Sequence, residues 1–311
     1  MMNPKWFHVF CLTASALLSA ELICQSPAQA QAAKSGGVDR ILTTRDNFPL
    51  HITYFEASTG GKEAAVAILL PAAEGADAKD ARTRRVWDKT AALLQKSGFA
   101  VVSVDLRKHG DSVLPAESTT PAAAKVSGND YTAMAAIDLE AVKEFLLLEH
   151  QNEKLNIRKT GIVAAGSSAM IASAFAVADW DKKPFPDAPT LDLRTPRGQD
   201  VRSLMMISPR TTVKGINGVA ALKIIKALDI RVFVLASKKD EKDAEKVFKA
   251  VELKGEQYAE FRKMTITNVE ARAEQFVEGP EAAKTNELIL EFMKKSVQEL
   301  DMPWRTRKSN L

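Results

Sequence analysis

Proton transfer near neutrality falls to histidine more readily than to any other side chain, and this chain has four: His8, His51, His109 and His150. About half of the sequence follows His150, and none of it supplies another imidazole. The serines whose setting suggests a nucleophile come later. Ile162-Val163-Ala164-Ala165 reads as the end of a buried strand and Ala169 onward as a helix of small residues, which puts Gly166-Ser167-Ser168 in a tight strand-to-helix turn. A serine there attacks an acyl carbon only if a nearby base takes its proton. The plainer reading is a turn whose small side chains allow close packing, with Ser167 as a helix N-cap.

The remaining histidines offer little chemistry. His51 falls in an N-terminal hairpin and His150 at a helix end. The histidines are far apart, and no His-Glu-x-x-His or paired-cysteine spacing suggests a metal site. Gly-x-Gly-x-x-Gly and phosphate-loop motifs are likewise missing, so no cofactor is implied. Lys and Arg number 43 against 39 Asp and Glu, a net charge of +4 that is scattered along the chain and argues against a nucleic-acid surface.

The first thirty residues read as a secretory signal, with Lys5 as the positive start, Trp6 to Leu18 as a short apolar run and Ala28-Gln29-Ala30 as a cleavage site. The run is shorter than the roughly 20 residues that a spanning helix needs. The expected product is an exported protein, periplasmic or extracellular, with no membrane span. Both cysteines, Cys11 and Cys24, would leave with the signal, so stability in an oxidising compartment must come from core packing. Residues 31–37 read as a flexible leader, 38–300 as one domain, and 301–311 as a basic tail expected to fray. The oligomeric state has no signature in the sequence.

Strand and helix patterns alternate through this domain. Val38 to Thr44 and Leu50 to Phe55 form a hairpin, and Ala64–Leu70, Phe99–Val104, Thr160–Ala165, Arg202–Ile207, Arg231–Leu235 and Phe261–Thr267 read as strands. Helices are predicted over 82–97, from about 130, over 169–178, over 244–251 and over 281–297. Eight strands with intervening helices imply an α/β fold whose mostly parallel sheet is covered on both faces, with no sizeable cap domain.

Three stretches place the chain more closely. Asp105-Leu106-Arg107-Lys108-His109-Gly110-Asp111-Ser112 follows a strand, Ile162 to Ala172 carries a strand-turn-helix, and Val232 to Asp240 carries a strand and loop. Together they resemble the α/β-hydrolase superfamily, in particular its esterases and dienelactone hydrolases. The likeness implies a nucleophile elbow at 164–170, an acid at Asp240, and a histidine loop just after Thr267. That loop reads Asn268-Val269-Glu270-Ala271-Arg272-Ala273-Glu274 and holds no imidazole. The likeness also implies an oxyanion hole drawing backbone N–H groups from Pro71-Ala72-Ala73 and from the residue after the elbow tip. In this superfamily the motif around His109 is largely structural.

The elbow requires small residues two places before and after its tip. Gly166 at the tip puts Ala164 and Ser168 in those places, lets Ile162-Val163 end the strand, and removes the nucleophile. Ser167 at the tip, between Ala165 and Ala169, is also sterically acceptable. Ser168 would put Met170 where glycine is wanted. The expectation is a hydrolase-shaped, catalytically degenerate chain with at most a cleft for acyl or carboxylate groups. The alternatives are an active ester hydrolase using Ser167 in a non-standard dyad, and a protein that uses the fold as a scaffold.

Overall fold

The computed structural model describes residues 36–73, 83–115 and 125–308; the predicted signal and most of the leader lie outside the described residues. Strands β1 (Val38–Thr43) and β2 (Pro49–Phe55) form the expected antiparallel hairpin. They are followed by β3 (Ala65–Leu70), β4 (Phe99–Val104), β5 (Thr160–Ala165), β6 (Val201–Ile207), β7 (Arg231–Ser237) and β8 (Arg262–Thr267). The eight strands make one sheet in the order β1-β2-β4-β3-β5-β6-β7-β8, antiparallel at β1/β2 and β2/β4 and parallel elsewhere. Every residue of β3, β4 and β5 is buried, as strands covered on both faces must be.

The covering helices are α1 (Asp88–Lys96), α2 (Gly128–Ala133), α3 (Leu139–Gln151), α4 (Ser168–Asp181), α5 (Gly218–Ala227), α6 (Glu241–Val251), α7 (Gln275–Glu278) and α8 (Ala282–Met293). A π-turn at Met134–Asp138 joins α2 to α3, and another at Lys294–Gln298 ends α8. The sequence reading leaves α5 unassigned because its buried side is narrow, formed by Gly218, Ala221, Leu222 and Ile225. Gly218 lets α5 close onto α4: a Cβ there would stand 2.4 Å from the Met170 sulfur. The alternation along each strand divides the core in two. Ile68, Ile162, Leu204 and Val232 pack on one face, and Leu69, Val163, Met205 and Phe233 on the other.

The Asp105–Ser112 segment is an internal brace. The buried Asp105 carboxylate accepts the Arg84 backbone N–H at 2.6 Å, pairs with the Arg84 guanidinium and accepts the Asp111 N–H at 3.0 Å. Arg107 is held by Asp138 at 2.6 Å and Asp46 at 2.8 Å. The Ser112 hydroxyl donates to the Asp105 carbonyl at 2.6 Å and accepts from His51 N–H at 2.7 Å, which locks the loop to β2. Gly110, at φ +52°, has no room for a side chain, since its Cβ would stand 2.3 Å from the Asp105 carboxyl carbon.

The basic tail does not fray over residues 301–308. The Arg305 carbonyl lies 2.8 Å from His150 Nε2, Trp304 Nε1 donates to the His150 carbonyl at 3.2 Å, and Asn156 donates to the Met302 carbonyl at 2.8 Å. The cause is electrostatic. Asp179 and Asp200 are both buried against Lys143, and Arg307 supplies a second directly bonded cation, with bonds of 2.7 and 2.9 Å to Asp200. Replacing Arg307 with Ala is expected to destabilise the fold by about 3 kcal/mol, because it strands a buried carboxylate. Urea denaturation checks this, and a change below about 0.5 kcal/mol would mean that the tail contributes little.

Candidate functional site

The parallel strands β5 and β7 deliver their carboxyl ends to one edge of the sheet, which brings the elbow and the acid loop to the same side. The elbow turn is made at Gly166, with φ +53°; Ser167 is already right-handed at φ −67° and Ser168 opens α4. Gly166 is the residue of this turn that takes a positive φ, which glycine adopts without a Cβ clash. The Gly166 N–H donates to the Ile207 carbonyl at 2.9 Å, and the Gly166 carbonyl accepts from the Arg210 N–H at 3.2 Å. Ser167 is the N-cap residue of α4, although its side chain makes no capping bond, and it is only 5% exposed.

The loop after β3 lies against this turn. The Ser168 hydroxyl donates to the Pro71 carbonyl at 2.5 Å, and Tyr131 donates to the Ala73 carbonyl at 2.9 Å. Both Ala72 and Ala73 are buried. The backbone N–H of Ala72, the donor expected to face a substrate oxygen, is taken by the side chain of Glu274. Glu274 itself is 1% exposed, so this end of the site is filled by a carboxylate of the chain's own.

Asp240 sits where the acid was expected, on the 3-10 turn after β7, and its side chain is 4% exposed. Its partners are arginines. Arg272 Nε stands 3.3 Å from the Asp240 carboxylate and Arg210 Nη1 stands 3.9 Å from it. Arg272 comes from the loop after β8, the expected place of the histidine, and also donates to the Lys239 carbonyl at 3.3 Å. A guanidinium stays protonated at any pH a protein survives, so it neutralises Asp240 without accepting a proton.

The loop from 268 to 274 is therefore a strap tied at both ends of the site: Glu270 and Arg272 reach the acid loop, and Glu274 reaches the loop after β3. The structure brings Gly166, Ser167, Ser168, Ala72 and Ala73 together, and Arg210 connects the elbow to Asp240. Sequence reasoning missed Arg210, Arg272 and Glu274 as members of the site. The available signal was a pair of opposite charges in a loop that should have carried a histidine. A cleft of about 520 Å³ opens along this strap, between Val269, Ala271, Gln275 and Pro280, and its described lining residues include neither the elbow nor residues 71–73.

The other histidines are structural. His109 is buried, with Nδ1 2.9 Å from the Arg107 carbonyl, and burial lowers its pKa below the ordinary 6.5. His150 is fully buried at the end of α3, and burial lowers its pKa as well. Among the described residues, no group of three or more His, Cys, Asp or Glu could hold a metal ion, and no helix is long and apolar enough to cross a membrane.

No family model and no curated protein matches this sequence. Solved structures do match in fold, and the chain has the α/β-hydrolase fold. An esterase from a Rhodococcus species superposes with a TM-score of 0.52 at 15% identity, over 83% of this chain and 99% of the other. Dienelactone hydrolase from Anabaena variabilis gives 0.53 at 11% identity, over 84% and 99%. Acylaminoacyl peptidase from Pyrococcus horikoshii gives 0.55 at 12% identity over 87% of this chain, which spans only 43% of that longer protein.

Two outcomes follow from the site. Glu274→Ala removes the acceptor from a buried N–H, so it should cost about 1–3 kcal/mol and speed hydrogen exchange at Ala72, measured by urea denaturation and amide exchange. The lowered pKa values of His109 and His150 mean that the unfolded chain takes up protons that the folded chain refuses. Their stabilisation is complete above about pH 6.5 and is lost as the pH falls through that value toward the folded pKa. Between about pH 7 and pH 6 the unfolding free energy should drop by at most about 0.7 kcal/mol for each histidine, because the unfolded imidazole is only partly protonated over that interval, and a flat profile would contradict this.

Proposed function

We propose that this is an exported protein that has the hydrolase fold but no longer hydrolyses, and that works as a stable body for binding instead of turnover. The observation that carries the reading is the double closure of the former cleft. Glu274 occupies the Ala72 N–H, and Arg272 occupies Asp240 in the loop where an imidazole would have to be. Gly166 at the turn supports it, because glycine has no nucleophile to activate. A chain that keeps the elbow, the acid and the hole in place, yet satisfies each of them internally, gains stability from groups that a catalyst must leave available to substrate.

Filling by the chain's own side chains also favours a scaffold role over capture of an acyl or carboxylate ligand at this point, since such a ligand would have to displace Glu274. Export rests on the charged start, apolar run and small-residue cleavage site at the N-terminus. The test is turnover of short- and medium-chain p-nitrophenyl esters by the purified protein, compared with Ser167→Ala, together with fluorophosphonate labelling. The expected result is background hydrolysis, equal in both proteins, and no adduct. Turnover about tenfold above the variant, or an adduct on Ser167, would establish a serine hydrolase with a non-standard base.

A further inference from the structure

The sheet carries a second feature at the opposite end of its strands from Gly166. Arg231 opens β7 and Arg262 opens β8, and alternation sends successive side chains to opposite faces. Arg262 is buried on one face and spent on backbone carbonyls: those of Val251 at 3.1 Å, Leu228 at 3.3 Å, Ile225 at 3.4 Å and Phe261 at 3.2 Å, with Ile230 as a further acceptor. Arg231 and Phe233 of β7 share the other face with Phe261 and Lys263, and Phe233 and Lys263 are register partners. There α8 and its terminal π-turn leave a cavity of about 210 Å³ between Phe233, Phe261, Phe292, Arg231, Lys263 and Ser296.

The chemistry of the wall is specific. Phe233 and Phe292 meet edge to face at 5.6 Å and form an apolar floor. Arg231 lies over the Phe261 ring at 4.3 Å and donates to the Lys295 carbonyl, and Lys263 lies over the Phe233 ring at 5.4 Å, so both cations are held at the cavity wall. No carboxylate lies within 4.0 Å of either cation among the described residues. Of the two acids on the wall, Glu291 is taken by Lys295 at 3.2 Å; Arg231 donates to the Lys295 carbonyl and feels Asp229, Glu260 and Glu299 only from beyond ion-pair distance. Ser296, 2% exposed and part of the π-turn, has a buried hydroxyl with no partner. π-turns and unpaired buried polar groups concentrate where a protein meets a ligand.

We infer that this cavity is a binding site for a small amphipathic anion, an aryl or compact alkyl carboxylate whose apolar body lies on Phe233, Phe261 and Phe292 and whose charged end meets Arg231 and Lys263. The volume lies below the 300–1,000 Å³ usual for drug-sized ligands, so the body is no larger than about two fused rings. The site is independent of the former catalytic cleft and would exist whether or not the protein hydrolyses esters.

The test is calorimetric titration of the purified protein with 2-naphthoate and with neutral 2-naphthamide. Saturable naphthoate binding is expected, with the amide about tenfold weaker or worse, and the R231Q/K263Q double variant should lose about tenfold in naphthoate affinity. Nuclear Overhauser contacts from naphthoate to the Phe261 and Phe292 rings give a readout that needs no variant. Equal affinity for acid and amide, unchanged binding in a folded double variant, ring contacts elsewhere, or no saturation up to about 1 mM would each overturn the inference.

Discussion

A carboxylate can be buried only where hydrogen-bond donors replace the water it loses, and in the interior of this protein such donors are few. Glu274 finds one in the Ala72 N–H, in the loop after β3. That contact decides much of what surrounds it. It fixes the loop after β3 against the loop after β8, holds the strap from 268 to 274 across the cleft, and sets Arg272 within reach of Asp240. The group that meets this N–H is a charged carboxylate. Here the charge is permanent and belongs to the chain.

The same logic of internal neutralisation recurs through the molecule. Asp105 is matched by Arg84, Asp138 by Arg107, and the Asp179–Asp200 pair by Lys143 and Arg307. Each of these four acids has its cation, and each cation lies more than twenty residues away in the sequence. With no cysteine among the described residues to form a disulfide, these pins join segments that the hydrophobic core alone would leave free to slide. Arg231 and Lys263 depart from the pattern, being cations over aromatic rings with no carboxylate of the described residues within 4.0 Å.

Most of the fold was legible in advance because burial on both faces writes continuous apolar runs. Ala65–Leu70, Phe99–Val104 and Thr160–Ala165 fall where such runs predicted strands. Helix α5 escaped because a helix needs only a narrow apolar stripe when glycine lets it pack closely, and Gly218 on Met170 does so. The docked tail escaped for another reason: Trp304 to Lys308 reads as solvated charge until the buried aspartates that recruit Arg307 are known.

The site divides in the same way. The absence of histidine after position 150 is a property of composition, and no folding can add an imidazole to the loop after β8. Choosing between Gly166 and Ser167 at the turn was a question of backbone angle, and two registers of small residues are equally permissive until strand pairing sets where β5 ends. Which groups Glu274, Arg272 and Arg231 would meet was beyond any local pattern. Charges acquire partners only when the chain has brought distant segments within about 4 Å, and that proximity belongs to the tertiary structure.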